Sequence, residues 1–238
     1  MTEFRNKAIV TGGSRGIGAA VCRALAAQGK TVTVGYLAAE KRARALAEEI
    51  GGIAVGGDIA DPATSEKMLS ETGGAGILVC SAGISHIGLF QDMTTAQWRR
   101  LFAVNVEGAF NACRAAAPYM IRAGWGRIVL ISSMWGLRGA SCEAAYSASK
   151  AALVGFAKAL AKELGPSGIT VNCLCPGVID TEMNSALSEE TMAQLKEETP
   201  LGRIGTAEDV AAAVSFLVGE GASFITGQVL SIDGGFAV

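Results

Sequence analysis

Tyr146 and Lys150 lie four residues apart in an alanine-rich stretch, a spacing that sets both on one face of a helix. A phenol titrates near ~10. An ammonium beside it favours the phenolate, so the pair can pass a proton near neutral pH. Ser133, thirteen positions before the tyrosine, ends an apolar β-branched run together with Ser132 and offers a hydroxyl to the same reacting oxygen. A second group opens the chain: Thr11-Gly12-Gly13-Ser14-Arg15-Gly16-Ile17-Gly18, with a strand signal before it and a helical one after. Glycines at 12, 16 and 18 permit a tight turn, let backbone N–H groups approach a pyrophosphate and aim a helix N-terminus at its charge. Dinucleotide sites of this kind carry Asp or Glu about 20 residues further on, where it holds the adenosine ribose hydroxyls. Here the second strand runs out in Gly35-Tyr36-Leu37, with no carboxylate before Glu40. A carboxylate there would repel a 2′-phosphate. Its absence, with Arg15 placed by the turn itself, points to NADP(H) rather than NAD(H). Lys41 and Arg42 nearby read as a solvated helix face.

The elements that must position these groups follow from the hydrophobic pattern. Apolar β-branched runs at Lys7–Thr11, Thr31–Tyr36, Gly52–Gly56, Gly76–Ser81, Arg127–Ser132, Ile169–Leu174 and Gln228–Ile232 alternate with alanine-rich helical segments. This alternation predicts one α/β domain over residues 1–238, a Rossmann-type, doubly wound, seven-stranded parallel sheet flanked by helices. Helices are expected from Gly16 to Gln28, Glu40 to Ile50 and Ala144 to Leu164, each stopped at a glycine. Thr94 with Gln97, and Thr206 with Asp209, have capping-box spacing. The segment Thr95–Arg122 is long for one helix, and Pro118 within it predicts a kink or break there. Residues 177–203 follow the sixth strand, irregular but for a short charged helix from Ser188 to Glu198, and read as a mobile substrate lid.

Composition narrows the function classes. The chain has 238 residues, half of them apolar, with 20 basic and 22 acidic side chains and a formal net charge of −2. That balance, with no run of either sign, argues against a nucleic-acid partner. No apolar stretch reaches the ~18 residues a spanning helix needs, so no membrane is expected. The polar start, Met1 to Lys7, carries no secretory signal. Six cysteines and one histidine, His86, lack metal-ligand spacing. No metal site is therefore expected, and the thiols read as reduced in a cytoplasmic chain. Glycine is the outlier: its 31 residues are nearly twice the usual ~7%.

Taken together these residues resemble the short-chain dehydrogenase/reductase family, along the whole chain and in order. Thr11 to Gly18 meet its T-G-x-x-x-G-x-G turn, Tyr146 and Lys150 its Tyr-x-x-x-Lys, Ser133 its active-site serine and Asn105 its helix asparagine. Pro176-Gly177, followed by Ile179 and Thr181, matches the motif after its sixth strand, and Asp233-Gly234-Gly235 closes the pattern. The resemblance implies an NADP(H)-linked carbonyl reductase. Tyr146 would protonate the carbonyl oxygen as hydride arrives, with Ser133 hydrogen-bonding that oxygen. Lys150 would hold the nicotinamide ribose and depress the tyrosine pKa, and Asn105 would anchor a water in the proton relay. The implied cofactor contacts are Gly12, Ser14, Arg15, Gly16, Ile17 and Gly18 at the pyrophosphate turn, Asp58 at the adenine edge, and Ile179 and Thr181 at the carboxamide. Ile59, Ser81, Ala82, Gly83, Pro176 and Gly177 complete the cofactor path. Two departures stand out. The family's Asn-Asn-Ala-Gly reads Cys80-Ser81-Ala82-Gly83 here, so the asparagine's hydrogen bonds must be replaced by Ser81 or lost. The stretch between Asp58 and Gly83 is also short, which predicts a trimmed fourth helix. Family members are mostly homotetramers, which is the assembly expected here.

Within the family the chain resembles two branches. These are bacterial 3-oxoacyl-[acyl-carrier-protein] reductases and the reductases of the 5-aminopentanone group on elongation factor P. Acyl carrier protein and elongation factor P are therefore both candidate partners. Trp135-Gly136, Ala140 to Glu143 and Glu198 to Arg203 look like the second branch. Where the first branch carries its carrier-docking arginines this chain has Gly124 and Ser167, which weakens that branch, although Arg122 and Arg127 are close by. The residues expected to face substrate are His86, Trp135, Leu137, Cys142, Glu143 and Met183. Glu143 would suit a substrate ammonium, although a glutamate at a helix start reads first as solvated. A hydroxysteroid or other small-alcohol dehydrogenase stays open. So does, outside the enzymes, a dinucleotide-sensing protein, against which the intact Ser133, Tyr146, Lys150 and Asn105 argue.

Overall fold

The computed structural model describes residues 2–184 and 188–237. Its seven strands, β1 (Lys7–Thr11), β2 (Thr31–Tyr36), β3 (Ile53–Gly56), β4 (Ile77–Cys80), β5 (Gly126–Ile131), β6 (Ile169–Pro176) and β7 (Val229–Ile232), are all parallel. They lie in the order β3-β2-β1-β4-β5-β6-β7. Side chains alternate along the central strands between two apolar layers, the period-2 signature of a sheet buried on both faces. Ala8, Val10, Ile77, Val79, Val129 and Ile131 enter one layer, and Ile9, Leu78, Cys80, Ile128 and Leu130 the other.

Helices α2 (Gly16–Ala27), α3 (Glu40–Glu49) and α10 (Ala207–Leu217) cover the first face. Helices α4 (Pro62–Thr72), α6 (Gly108–Ala123) and α8 (Ala144–Leu164) cover the second. Four more elements complete the helices: α1 (Thr2–Arg5), α5 (Thr95–Phe102), α7 (Trp135–Arg138) and α9 (Glu189–Glu198). Both expected capping boxes form, with Thr94 on α5 and Thr206 on α10. The stretch expected to hold a shortened helix carries α4 over 11 residues, started by the Asp61 carboxylate on the Ala63 amide and ended by Gly73 at φ 68. The short α1 runs where the sequence pattern gave only a polar lead into β1.

The break in the long central helix falls elsewhere than Pro118. That proline sits inside α6, which continues through Ala123. The interruption is a π-helical turn at Ala103–Glu107, between α5 and α6. As an interior residue Pro118 removes one backbone bond, and α6 runs on for five residues beyond it. The π turn, by contrast, carries Asn105 inward, where its amide bonds both backbone groups of Ile84 and the Ser149 hydroxyl.

Chain order reverses at β1: β2 and β3 extend to one side, and β4 through β7 to the other. The connections leaving β1 and β4 therefore part company, and a crevice opens beyond the carboxyl ends of these strands. Residues 177–184, with a short turn at Glu182–Asn184, border it, as does Leu195 of α9, a helix capped by Ser188. Residues 185–187 of that expected lid lie outside the described residues.

Candidate active site

The crevice holds a cavity of about 750 Å³, within the ~300–1,000 Å³ range of small-molecule sites. Its floor at one end is the glycine turn between β1 and α2. Gly12 has φ 66, and a Cβ there would stand 2.7 Å from the Ala82 Cα across the switch point. A Cβ on Gly18 would meet the Gly12 carbonyl oxygen at 2.2 Å. Only glycine permits this approach. Arg15, at the N-cap of α2, makes no side-chain cap bond, and the first turn of the helix carries no acidic residue. The leading amides of α2 are thus left to an anion. It is Thr11, rather than Ser81, that ties the loop after β4, its hydroxyl accepting from the Ala82 amide at 3.2 Å.

At the other end, β5 delivers Ser133 and α8 delivers Tyr146 and Lys150, with buried side chains. The Ser133 oxygen accepts the Trp135 amide at 3.2 Å, and its hydroxyl acts on the Tyr146 phenol to lower its pKa. Lys150 Nζ donates to the Ile131 carbonyl at 2.9 Å and lies 5.6 Å from the Tyr146 ring centre. A methyl group on Gly83 would lie 3.3 Å from Lys150 Nζ and 3.4 Å from Asn105 Oδ1, so this glycine opens the spot on which both converge.

The electrostatics differ from the simple picture of an ammonium depressing a phenol. Burial pushes the Tyr146 phenol up to about 12, opposed by the Ser133 hydrogen bond and reinforced by Glu143. Burial also brings the Lys150 ammonium down to about 8. Desolvation is the largest cause of both shifts, because both groups sit in the same dry interior. Tyr146 is therefore a fully protonated acid at neutral pH.

Every residue expected to hold a dinucleotide lines this cavity: Gly12, Ser14, Arg15, Gly16, Ile17, Gly18, Asp58, Ile59, Ser81, Ala82, Gly83, Tyr146, Lys150, Pro176, Gly177, Ile179 and Thr181. Ser133 lines it too, while Asn105 stands behind Gly83. Of the residues expected to face substrate, Trp135, Glu143 and Met183 line the cavity. His86, Leu137 and Cys142 are not part of its wall, and Leu137 is an exposed side chain of α7. Glu143, expected to be solvated, is half-buried, and burial raises its carboxyl above the ordinary value. Asp58 gives one oxygen to the Ala60 amide and pairs with Arg100 at 2.7 Å. Arg100 lines the cavity from α5, in a charged stretch with no local signal of a site. Arg42, expected to be a solvated helix side chain, bonds Glu182 at the cavity mouth.

A parallel sheet with an uncapped, glycine-floored helix start on one side of its switch point and a protonated phenol on the other defines a nicotinamide-dinucleotide-dependent oxidoreductase. Comparison with known proteins carries this one step further. A family model described as "Enoyl-(Acyl carrier protein) reductase" matches residues 12–237. The 3-oxoacyl-[acyl-carrier-protein] reductase FabG of Chlamydia trachomatis is 39% identical over 97% of this chain and 96% of its own. The acetoacetyl-CoA reductase of Rhizobium meliloti is 41% identical over 96% and 97%. Among solved structures, 3-oxoacyl-[acyl-carrier protein] reductase from Brucella melitensis superposes with a TM-score of 0.92 at 33% identity, covering 98% of this chain and 91% of that one. The chain belongs to the short-chain dehydrogenase/reductase family and is an oxidoreductase acting on carbonyl and secondary alcohol groups.

Proposed function

We propose that the protein is an NADPH-dependent 3-oxoacyl thioester reductase, acting on substrate carried by acyl carrier protein. The observation that carries this reading is the pairing of a protonated, buried Tyr146 with Ser133 at one end of a cavity whose other end is built for a dinucleotide phosphate. The glycine turn, Asp58, Ile179 and Thr181 would hold the cofactor, whose reduced nicotinamide would supply a hydride for the carbonyl carbon. Tyr146 gives its proton to the carbonyl oxygen, and Ser133 donates a hydrogen bond to that oxygen. The Lys150 ammonium and the Asn105 amide oxygen meet at Gly83, a place for the water through which Tyr146 is reprotonated. Arg15, and the lack of a carboxylate among Tyr36, Leu37, Ala38 and Ala39 at the ribose end, support NADP(H) over NAD(H). The six free thiols, five of them buried, suit the reducing cytoplasm. Exposed Phe110, Phe216 and Phe224 give the chain apolar surface for the homotetramer usual in the family.

Glu143 favours a second reading. A half-buried carboxylate on the cavity wall suits a substrate ammonium, as in a 5-aminopentanone group on elongation factor P. The two are separated by measuring NADPH consumption with an acetoacetyl thioester of acyl carrier protein and with elongation factor P bearing the amino-ketone. A kcat/KM at least ~100-fold higher for the thioester is expected, the size of preference a pocket shows against a substrate carrying an added polar group that it does not hold. The reverse preference overturns the first reading in favour of the second.

A further inference from the structure

Three segments far apart in sequence meet in one ion cluster at the ribose end of the cavity. Arg15 comes from the glycine turn, Arg42 from the first turn of α3, and Glu182 from the short turn after β6. Glu182 divides its carboxylate between them, one oxygen on Arg15 Nη1 at 3.3 Å and the other on Arg42 Nη1. The turn that holds Glu182 is itself tied down. The Asn184 side chain donates to the Ile179 carbonyl at 2.8 Å, and its amide donates to Thr181. The two guanidiniums hold the Glu182 carboxyl below its ordinary value, Arg42 most strongly, so the group is an anion. A single anionic group between two arginines is the recognition pattern for a phosphate as much as for a carboxylate.

We propose that Glu182 is an internal stand-in for the cofactor's 2′-phosphate. In the free protein it occupies Arg15 and Arg42. An incoming phosphate displaces it, so the two arginines that read the phosphate also tether the segment after β6 until the cofactor arrives. This rests on the NADP(H) reading above and adds to it a second reading residue, Arg42, and a competing anion. All three side chains are 50–64% exposed, and exposed pairs exchange cheaply. The stand-in therefore masks the arginines without locking them. Its cost appears as lowered apparent affinity, because only the fraction of molecules with open arginines binds the phosphate.

The test is equilibrium binding of NADPH and NADH to the full chain by titration calorimetry, for wild type, Glu182→Gln, Arg42→Gln and the double variant. The expected result is a NADPH-to-NADH affinity ratio ~2- to 10-fold higher in Glu182→Gln, the value of one or two exposed ion pairs. The ratio should be lower in Arg42→Gln, and the gain from Glu182→Gln should vanish when Arg42 is also replaced. An unchanged or reduced ratio in Glu182→Gln, with NADPH still preferred by wild type, overturns the stand-in and leaves the cofactor reading intact. A wild type that binds NADH as well as or better than NADPH overturns the cofactor reading itself. Adenosine 2′-monophosphate against the 5′-isomer provides a readout free of the nicotinamide half. The 2′-isomer alone should gain affinity in Glu182→Gln, and an equal gain for both overturns the proposal.

Discussion

At the scale of single residues, the site trades stability for chemistry. Lys150 is buried, with its ammonium brought down from 10.5 to about 8, and among the described residues no carboxylate repays the burial. The unfolded chain binds more protons than the folded one between about pH 8 and 10.5, so folding stability rises with pH through that window. Lys150→Met should therefore stabilise the fold at pH 7 by ~1–3 kcal/mol. The gain should shrink as the pH approaches 10.5, as urea denaturation at two pH values would show. Catalytic charge held at the expense of stability is common in enzymes. Equal gains at both pH values would mean that packing, and not charge burial, sets the difference.

At the scale of elements, short pieces fix the geometry of the long ones. Helix α7 lies so close on α8 that a Cβ at Gly136 would stand 2.8 Å from the Lys150 carbonyl carbon and 2.9 Å from the Ala151 amide. The same carbonyl group accepts the Ser132 hydroxyl at 2.7 Å. Gly136→Ala should cost ~1–3 kcal/mol in denaturant unfolding, because backbone rather than a flexible side-chain end must give way. It should also lower turnover by moving Tyr146 and Lys150 away from Ser133. Unchanged stability would show that α7 can move freely. The π turn at Ala103–Glu107 does similar work for Asn105. Sequence periodicity could not place that turn: an extra residue in one helical turn leaves no apolar or glycine mark, whereas Pro118 leaves a loud one inside a helix that continues past it.

At the scale of the whole molecule, the parallel sheet and its two apolar layers were legible because period-2 runs and helix stops are local signals. The glycine turn, Ser133, Tyr146 and Lys150 were legible as one group because their spacing carries through the fold, which brings all of them to one cavity. Arg100 on Asp58, and Arg15 with Arg42 on Glu182, were hidden. Each links distant segments through the fold, and each partner read alone is an ordinary surface charge. The reversed direction of the tyrosine shift was hidden for the same reason, since burial belongs to the assembled site. The central claim is that this assembled cavity reduces a carbonyl with a proton from Tyr146. The most direct measurement is NADPH consumption on an acetoacetyl thioester by wild type and Tyr146→Phe, with NADPH binding followed in the same samples. The expected result is turnover by wild type and a ~10²- to 10⁴-fold loss in the variant at unchanged NADPH affinity. Turnover by Tyr146→Phe at the wild-type rate would contradict it.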